Sequence, residues 1–166
     1  ASSEGAREGF SEVRIDEILW QAREELLKHE KEYTVTVALD ENISDIENLT
    51  MRGDEQLLLS AVTNIMENGC KYSPDRSVRI LLSHDTHNIL VSFTDNGPGI
   101  AEDEIERIFE SFYRSKSTAS VRGHGIGLSL ASKIIDIHNG KITVTSRQGE
   151  GTTIRLIFPA ERFITV

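Results

Sequence analysis

The sequence holds a single cysteine, Cys70, so no disulfide can close within it, and no group of Cys and His has the spacing of zinc ligands. That scarcity favours a reducing compartment over secretion. No run approaches the ~18 apolar residues that a spanning helix requires, and the opening Ala1-Ser-Ser-Glu-Gly lacks the features of a signal peptide. No membrane insertion by this chain is expected. Positive charge is also short, with 18 Lys and Arg against 27 Asp and Glu and a net charge of −9. Nucleic acids and anionic membranes are polyanions, which excludes bulk binding to either and leaves room only for a small anion met by a local feature. With 3 prolines, no internal repeat and no Pro/Ser-rich linker, the 166 residues read as a frayed N-terminal segment, 1–10, and a single domain, 11–166. A chain of this length buries roughly two-thirds of its unfolded surface and needs no staple.

Hydrophobic periodicity supplies the elements. Ile15, Ile18, Leu19, Ala22 and Leu26 keep one face of a helix running to about Lys31, with Asp16 as a first-turn acid. Tyr33 to Leu39 alternates as a strand, and Asp40 to Asn48 is a polar loop. Asp54 caps a second helix with a core stripe of Leu58, Ala61, Val62 and Ile65, ending before Pro74. Val78-Ile80-Leu82 and Ile89-Val91-Phe93 form a hairpin. A short helix follows at Ala101 to Ile108, a loop of small and basic residues at Ser115 to Gly125, and a third helix at Ile126 to about His138, with Gly140 at its C-cap. Lys141 to Ser146 and Thr152 to Phe158 make a second hairpin. This order predicts an α+β fold, a two-layer α/β sandwich in which a mixed, mostly antiparallel sheet is covered on one face by helices.

Three groups of residues carry chemical potential. Asn64, Asn68 and Lys71 fall at i, i+4 and i+7, on a stripe of the second helix away from its core stripe, with Tyr72 beside Asn68. Two amides and an ammonium suit a Mg²⁺–phosphate group; the same pattern also suits a solvated face. Asp95 precedes Gly97 and Gly99, glycines that let the backbone approach a ligand closely or simply make a turn. Gly123-His124-Gly125-Ile126-Gly127-Leu128 runs into a helix start, where exposed N–H groups and the helix dipole attract anions, and Arg114, Lys116 and Arg122 flank it. A glycine triplet alone is equally a flexible loop.

Taken in order, these pieces resemble the catalytic ATP-binding domain of sensor histidine kinases, in the superfamily that also holds gyrase, Hsp90 and MutL. Asn64-Ile-Met-Glu-Asn68-Gly-Cys-Lys71-Tyr72 is similar to the N box, Asp95-Asn-Gly97-Pro-Gly99-Ile100 to the G1 box, Phe109-Glu-Ser-Phe112-Tyr113-Arg114 to the F box, and Gly123 to Leu128 to the G2 box. Gly149-Glu-Gly151-Thr152 resembles the last glycine motif, and Gly53-Asp54 and His138-Asn139-Gly140 are also in place. The resemblance implies a Bergerat-type fold and a site for ATP and Mg²⁺. It implies Asn68 as the Mg²⁺ ligand with Asn64 near it, Lys71 and Arg114 on phosphate, Tyr72 packed on adenine, and Asp95 accepting from the adenine amine. Asn68, Lys71 and Arg114 are its catalytic set, while Gly97, Gly99, Ile100, Tyr113, Gly123, His124, Gly125, Ile126, Gly127, Leu128 and Thr152 surround the nucleotide. Ser115 to Arg122 would be the ATP lid. Gly69 stands where the family usually has Ala, at ~1 kcal/mol in a helix interior. Asn139 replaces a glycine, and Asn also tolerates the left-handed region.

The family's acceptor histidine, in a His-Glu motif followed by Pro, is missing from these residues. His29-Glu30 lacks the motif's Arg and Pro, and fits a solvated helix face. The resemblance therefore implies transfer of the γ-phosphate of Mg-ATP to a histidine on a separate dimerisation and phosphoacceptor domain, then to a response regulator receiver domain. It also implies a cytoplasmic location, at the inner end of a membrane-bound sensor. The alternatives are an anti-sigma-type serine kinase, which shares the boxes, a gyrase-type ATPase, and a nucleotide-sensing module without transfer. The ATPase needs a Glu base where Asn64 stands, and Glu67 points about 100° away around the helix.

Overall fold

A computed structural model describes residues 9–109 and 128–160. The elements are β1 (Ser11–Arg14), α1 (Ile15–His29), β2 (Thr34–Leu39), β3 (Thr50–Gly53), α2 (Glu55–Tyr72), β4 (Ser77–His84), β5 (Asn88–Asp95), α3 (Leu128–Ile137), β6 (Lys141–Ser146) and β7 (Thr152–Pro159). Short 3-10 segments occupy Ile46–Leu49 and Glu102–Phe109.

Five strands form one sheet in the order β2-β4-β5-β7-β6, with β2 parallel to β4 and every other pair antiparallel. A parallel pair needs a crossover, and β3 and α2 supply it. Period-two alternation sends Ile80, Leu82, Val91, Phe93, Ile154 and Leu156 to one face, where all are buried. Leu58, Ala61, Val62 and Ile65 of α2 and Ile15, Ile18, Leu19 and Ala22 of α1 join that core. Full burial of each large side chain contributes roughly 1.5–3 kcal/mol. Arg79, Leu81 and Arg155 lie on the uncovered face. This is the expected two-layer sandwich.

Several boundaries differ from the sequence reading. α1 stops at His29 rather than Lys31, and the strand starts at Thr34. β1 and β3 make a two-stranded ribbon that periodicity missed. Its strands have four residues each, and neighbours roughly forty residues apart hold them. Asp16 is more than a first-turn acid: its carboxylate is 8% exposed as a residue and takes two bonds from Arg14, at 3.2 and 2.6 Å. The polar loop contains a 3-10 turn, started by Asp45 accepting the Glu47 N–H at 3.0 Å. The short helix after Ala101 is likewise 3-10.

Asp54 caps α2 as expected, accepting the Leu57 N–H at 3.0 Å. Gly69 has a positive reason to be there. A Cβ at 69 would lie 2.7 Å from Val78 Cγ2, so the missing methyl lets α2 seat on β4, and the penalty expected from helix propensity omits this contact. At the end of α3 the left-handed residue is Asn139, at φ 59, not Gly140. The Asn139 N–H bonds Asp136 O and the Gly140 N–H bonds Ile135 O, a Schellman ending. Next to it, buried His138 donates from Nδ1 to Ile134 O at 2.7 Å and accepts the Asp54 N–H on Nε2 at 3.0 Å, which defines the neutral Nδ1–H tautomer. Phe10 stacks on its ring at 4.5 Å.

Candidate nucleotide cleft

Where α2 passes over the ends of β5 and β7, the helix and the sheet part and leave a narrow cleft with a cavity of about 40 Å³. Asn68, Gly69 and Tyr72 line it from α2, Asp95 from the end of β5, Pro98, Gly99 and Ile100 from the following turn, Leu128 from α3, and Thr152 and Ile154 from β7. Its wall is apolar with a few convergent polar groups. A wider groove beside β1, about 560 Å³, holds Glu12, Glu17, Glu47 and Glu55 with Arg14, which Asp16 and Glu17 already engage.

Asp95 is the charged group of the cleft. Its Oδ1 accepts the Gly97 N–H at 2.8 Å, and the Thr152 N–H also bonds the carboxylate. Burial raises its pKa from the usual 3.8, and those two backbone donors oppose the rise. The Asp95–Gly97 bond is the turn cap that a merely structural reading predicts, and the same carboxylate faces the cleft.

The turn after Asp95 is fixed from two sides. Gly97 lies against Tyr72, since a Cβ there would approach the Tyr72 carbonyl to 2.8 Å. Gly99, at φ +75, lies against the β6–β7 turn, where a Cβ would meet Arg147 O at 2.0 Å. The Gly149 N–H bonds Pro98 O at 2.6 Å. These glycines admit close approach, as the sequence suggests, but the neighbour is protein backbone. Asn96 donates to Asp75 at 3.2 Å, and Ser73 also donates to Asp75. Asp75, held at a pKa of about 2 by Ser73, Ser77 and Asn96, thus ties the loop after α2 to the loop after β5.

Ser146 makes a second junction. Its Oγ accepts the Ile100 N–H at 2.8 Å, donates to Gly151 O at 2.9 Å and lies 2.8 Å from Thr152 Oγ1.

The polar stripe of α2 is not a solvated face. Asn68 is 8% exposed, with Asn64 and Lys71 half-buried. Asn68 and Tyr72 reach the cleft, whereas Asn64, Lys71 and Gly97 are not among its lining residues. Lys71 Nζ sits 5.8 Å from the centre of the Tyr72 ring, which brings its charge beside a cleft wall. Leu128, Ile100 and Thr152 line the cleft as expected. Tyr113, Arg114, Gly123, His124, Gly125, Ile126, Gly127 and the lid at 115–122 lie outside the described residues. Glu67 is not among the residues that line the cleft. Gly69, Pro98 and Ile154 join the cleft without having been expected there, and Asp75 and Ser146 support it. Gly69 and Pro98 sit inside the motifs quoted above and Ile154 in the alternation of β7, whereas Asp75 and Ser146 carried no signal.

Asn64 and Asn68 offer neutral amide oxygens, a hard-donor pair that fits Mg²⁺ when phosphate and water complete the set. Among the described residues no group of three or more His, Cys, Asp or Glu could hold a metal by itself.

The fold and cleft define an α/β-sandwich domain with an acid-floored pocket between its layers. A family model described as Histidine kinase-, DNA gyrase B-, and HSP90-like ATPase matches residues 53–162, and the chain belongs to that family. The adaptive-response sensory kinase SasA of Rippkaea orientalis is 34% identical over 155 residues, 92% of this chain and 38% of SasA. The mycobacterial sensor histidine kinase MprB superposes with a TM-score of 0.75 at 26% identity, over 91% of this chain and 97% of that one. Histidine kinase ThkA, solved in complex with the response regulator TrrA, has a TM-score of 0.70 at 22% identity, over 91% of this chain and 42% of that one, and shares the fold. The chain spans about a third of the length of the curated relatives it matches.

Proposed function

We propose that residues 11–166 form one catalytic domain that binds Mg-ATP in this cleft and donates the γ-phosphate to a histidine on a separate domain, within two-component signalling. The observation that carries the reading is Asp95, a part-buried carboxylate anchored by two backbone N–H groups at the cleft floor, one helix away from buried Asn68. Asp95 accepts the adenine amine, and Tyr72 packs on the base. Asn68, with Asn64, presents amide oxygens to Mg²⁺, and Lys71 and Arg114 meet phosphate charge. Bound Mg²⁺ neutralises charge that develops on the triphosphate. In the transfer the bond from γ-phosphorus to the β–γ bridging oxygen breaks, a bond to an imidazole nitrogen forms, and ADP leaves. The domain positions and neutralises, and needs no base of its own.

Supporting the reading, SasA and MprB carry kinase names, and ThkA was solved with a response regulator, the partner class proposed for onward transfer. Glu67, which does not line the cleft, is not placed as the water-activating base that a hydrolase requires. Among the described residues no helix is long and apolar enough to cross a membrane, and a cytoplasmic location is part of the proposal.

Titrating ATP and GTP against wild type and Asp95→Asn tests it. The substitution should weaken ATP at least tenfold and narrow the ATP-over-GTP preference while the melting temperature holds. Asn68→Ala should remove the Mg²⁺-dependent part of binding and of phosphotransfer to a separately supplied acceptor domain. Unchanged ATP affinity in Asp95→Asn, or wild-type GTP binding as tight as ATP, would remove Asp95 from the site.

A further inference from the structure

Ser146 decides which way a neighbouring hydroxyl points, and the inference rests on the nucleotide reading above. A serine hydroxyl has one proton and two lone pairs. The Ile100 N–H can only donate, and at 2.8 Å it occupies one lone pair. The Gly151 carbonyl can only accept, and at 2.9 Å it takes the single proton. The remaining contact, 2.8 Å to Thr152 Oγ1, then has one sense: Thr152 donates to Ser146. The opposite sense would strip the Gly151 carbonyl of this bond.

With its proton committed, Thr152 Oγ1 has lone pairs alone to offer elsewhere. Thr152 stands directly across the β5–β7 ladder from Asp95, so both side chains share a face, and both line the cleft. We propose that Ser146 is a specificity-determining positioning residue. By holding Thr152 as an acceptor beside the Asp95 carboxylate, it makes the cleft floor accept hydrogen bonds only, and so selects a purine with an exocyclic amine over one with a carbonyl at that edge. Ser146 touches no base itself and acts through Thr152.

In Ser146→Ala the Thr152 proton loses its acceptor and is available to a carbonyl in the cleft. The test titrates ATP and inosine triphosphate, which differ at that purine edge, against the full chain. The ATP-over-ITP preference should fall by about tenfold or more in Ser146→Ala, chiefly because ITP binds more tightly. Ser146→Thr, which keeps the hydroxyl, should restore the wild-type preference. Thr152→Val should weaken ATP more than ITP, and in that background Ser146→Ala should leave the ratio where it is. Equal factors for both nucleotides in Ser146→Ala would reduce Ser146 to a structural residue and overturn the proposal. If Ser146→Ala does not fold, Thr152→Val still decides, because a larger loss for ITP than for ATP would make Thr152 a donor. Failure of the underlying reading looks different: ATP would not bind, or Asp95→Asn would leave its affinity unchanged.

Discussion

The two hairpins of the sheet have similar strands and opposite turns. In the β4–β5 turn the donors close inward: Asp85 Oδ1 accepts the His87 and Asn88 N–H groups at 2.9 and 2.8 Å, and the Asp85 N–H bonds Asn88 O at 3.0 Å. In the β6–β7 turn the Glu150 N–H still closes on Arg147 O at 2.9 Å, but other groups reach outward. The Gly149 N–H goes to Pro98 O, Gly151 lies against Asp95, and Ser146 gathers Ile100. The β4–β5 turn satisfies its own N–H groups and meets distant segments through the carbonyls of His84 and His87, which accept from Asn42 and Ala160. A turn that gives its N–H groups to a loop fifty residues away builds a wall of the cleft, and its residues are fixed by what they touch.

The largest effect should separate two glycines of the same turn. Gly151 and Gly149 both have positive φ, at +88 and +86, but a Cβ at 151 would lie 2.3 Å from Asp95 O whereas one at 149 meets nothing within 4 Å. Gly151→Ala should cost at least about 3 kcal/mol and abolish ATP binding. Gly149→Ala should cost ~1 kcal/mol of backbone strain and leave affinity within about twofold. Chemical denaturation with nucleotide titration measures both, and equal losses would erase the contrast.

Next in size is a pH contrast between the aspartates at the two turns. Asp95 has a raised pKa, so its ionised form opposes folding above that value, and the cost fades as pH falls through it. The ionised carboxylate binds an amine donor more strongly than the neutral acid does, so ATP affinity should decline as pH is lowered toward that raised value, and Asp95→Asn should flatten this dependence. Asp85 is shifted the other way, held below 3.8 by the His87 and Asn88 N–H groups. Its contribution is present above 3.8 and is lost as pH falls through the depressed value. Thermal melts and ATP titrations on one pH series test both signs.

The smallest effect belongs to the inward turn. Asp85→Ala should cost about 0.5–1 kcal/mol, the worth of a solvent-exposed turn cap, with ATP affinity unchanged. A tenfold loss of affinity would show that this turn also supports the cleft.

What could be read from the sequence is what is encoded over short range. α2 announced itself by Asp54, its apolar stripe and Pro74, and both hairpins by period-two runs around turn residues. The β1–β3 ribbon gave no signal, because four-residue strands carry too few alternations and their partner is far along the chain. Asn68, Tyr72, Asp95 and Thr152 were legible as cleft residues because they sit inside motifs. Gly69 was read through helix propensity alone, since nothing local reveals that Val78 will lie against it. Asp75 and Ser146 escaped for a related reason: a hydroxyl or carboxylate in a loop is ordinary until its partners, Asn96 or Ile100, are brought to it by the fold.

The placement of α3 joins two regions that lie far apart in the chain. Its ten residues span ~15 Å, with Leu128 in the cleft wall at one end and, just past the other, His138 clasped by the Asp54 N–H and faced by Phe10 at the chain's entry. One short helix thus serves two neighbourhoods at once, closing the cleft with its first residue and leading at its last turn into the contact of His138 with Asp54 and Phe10.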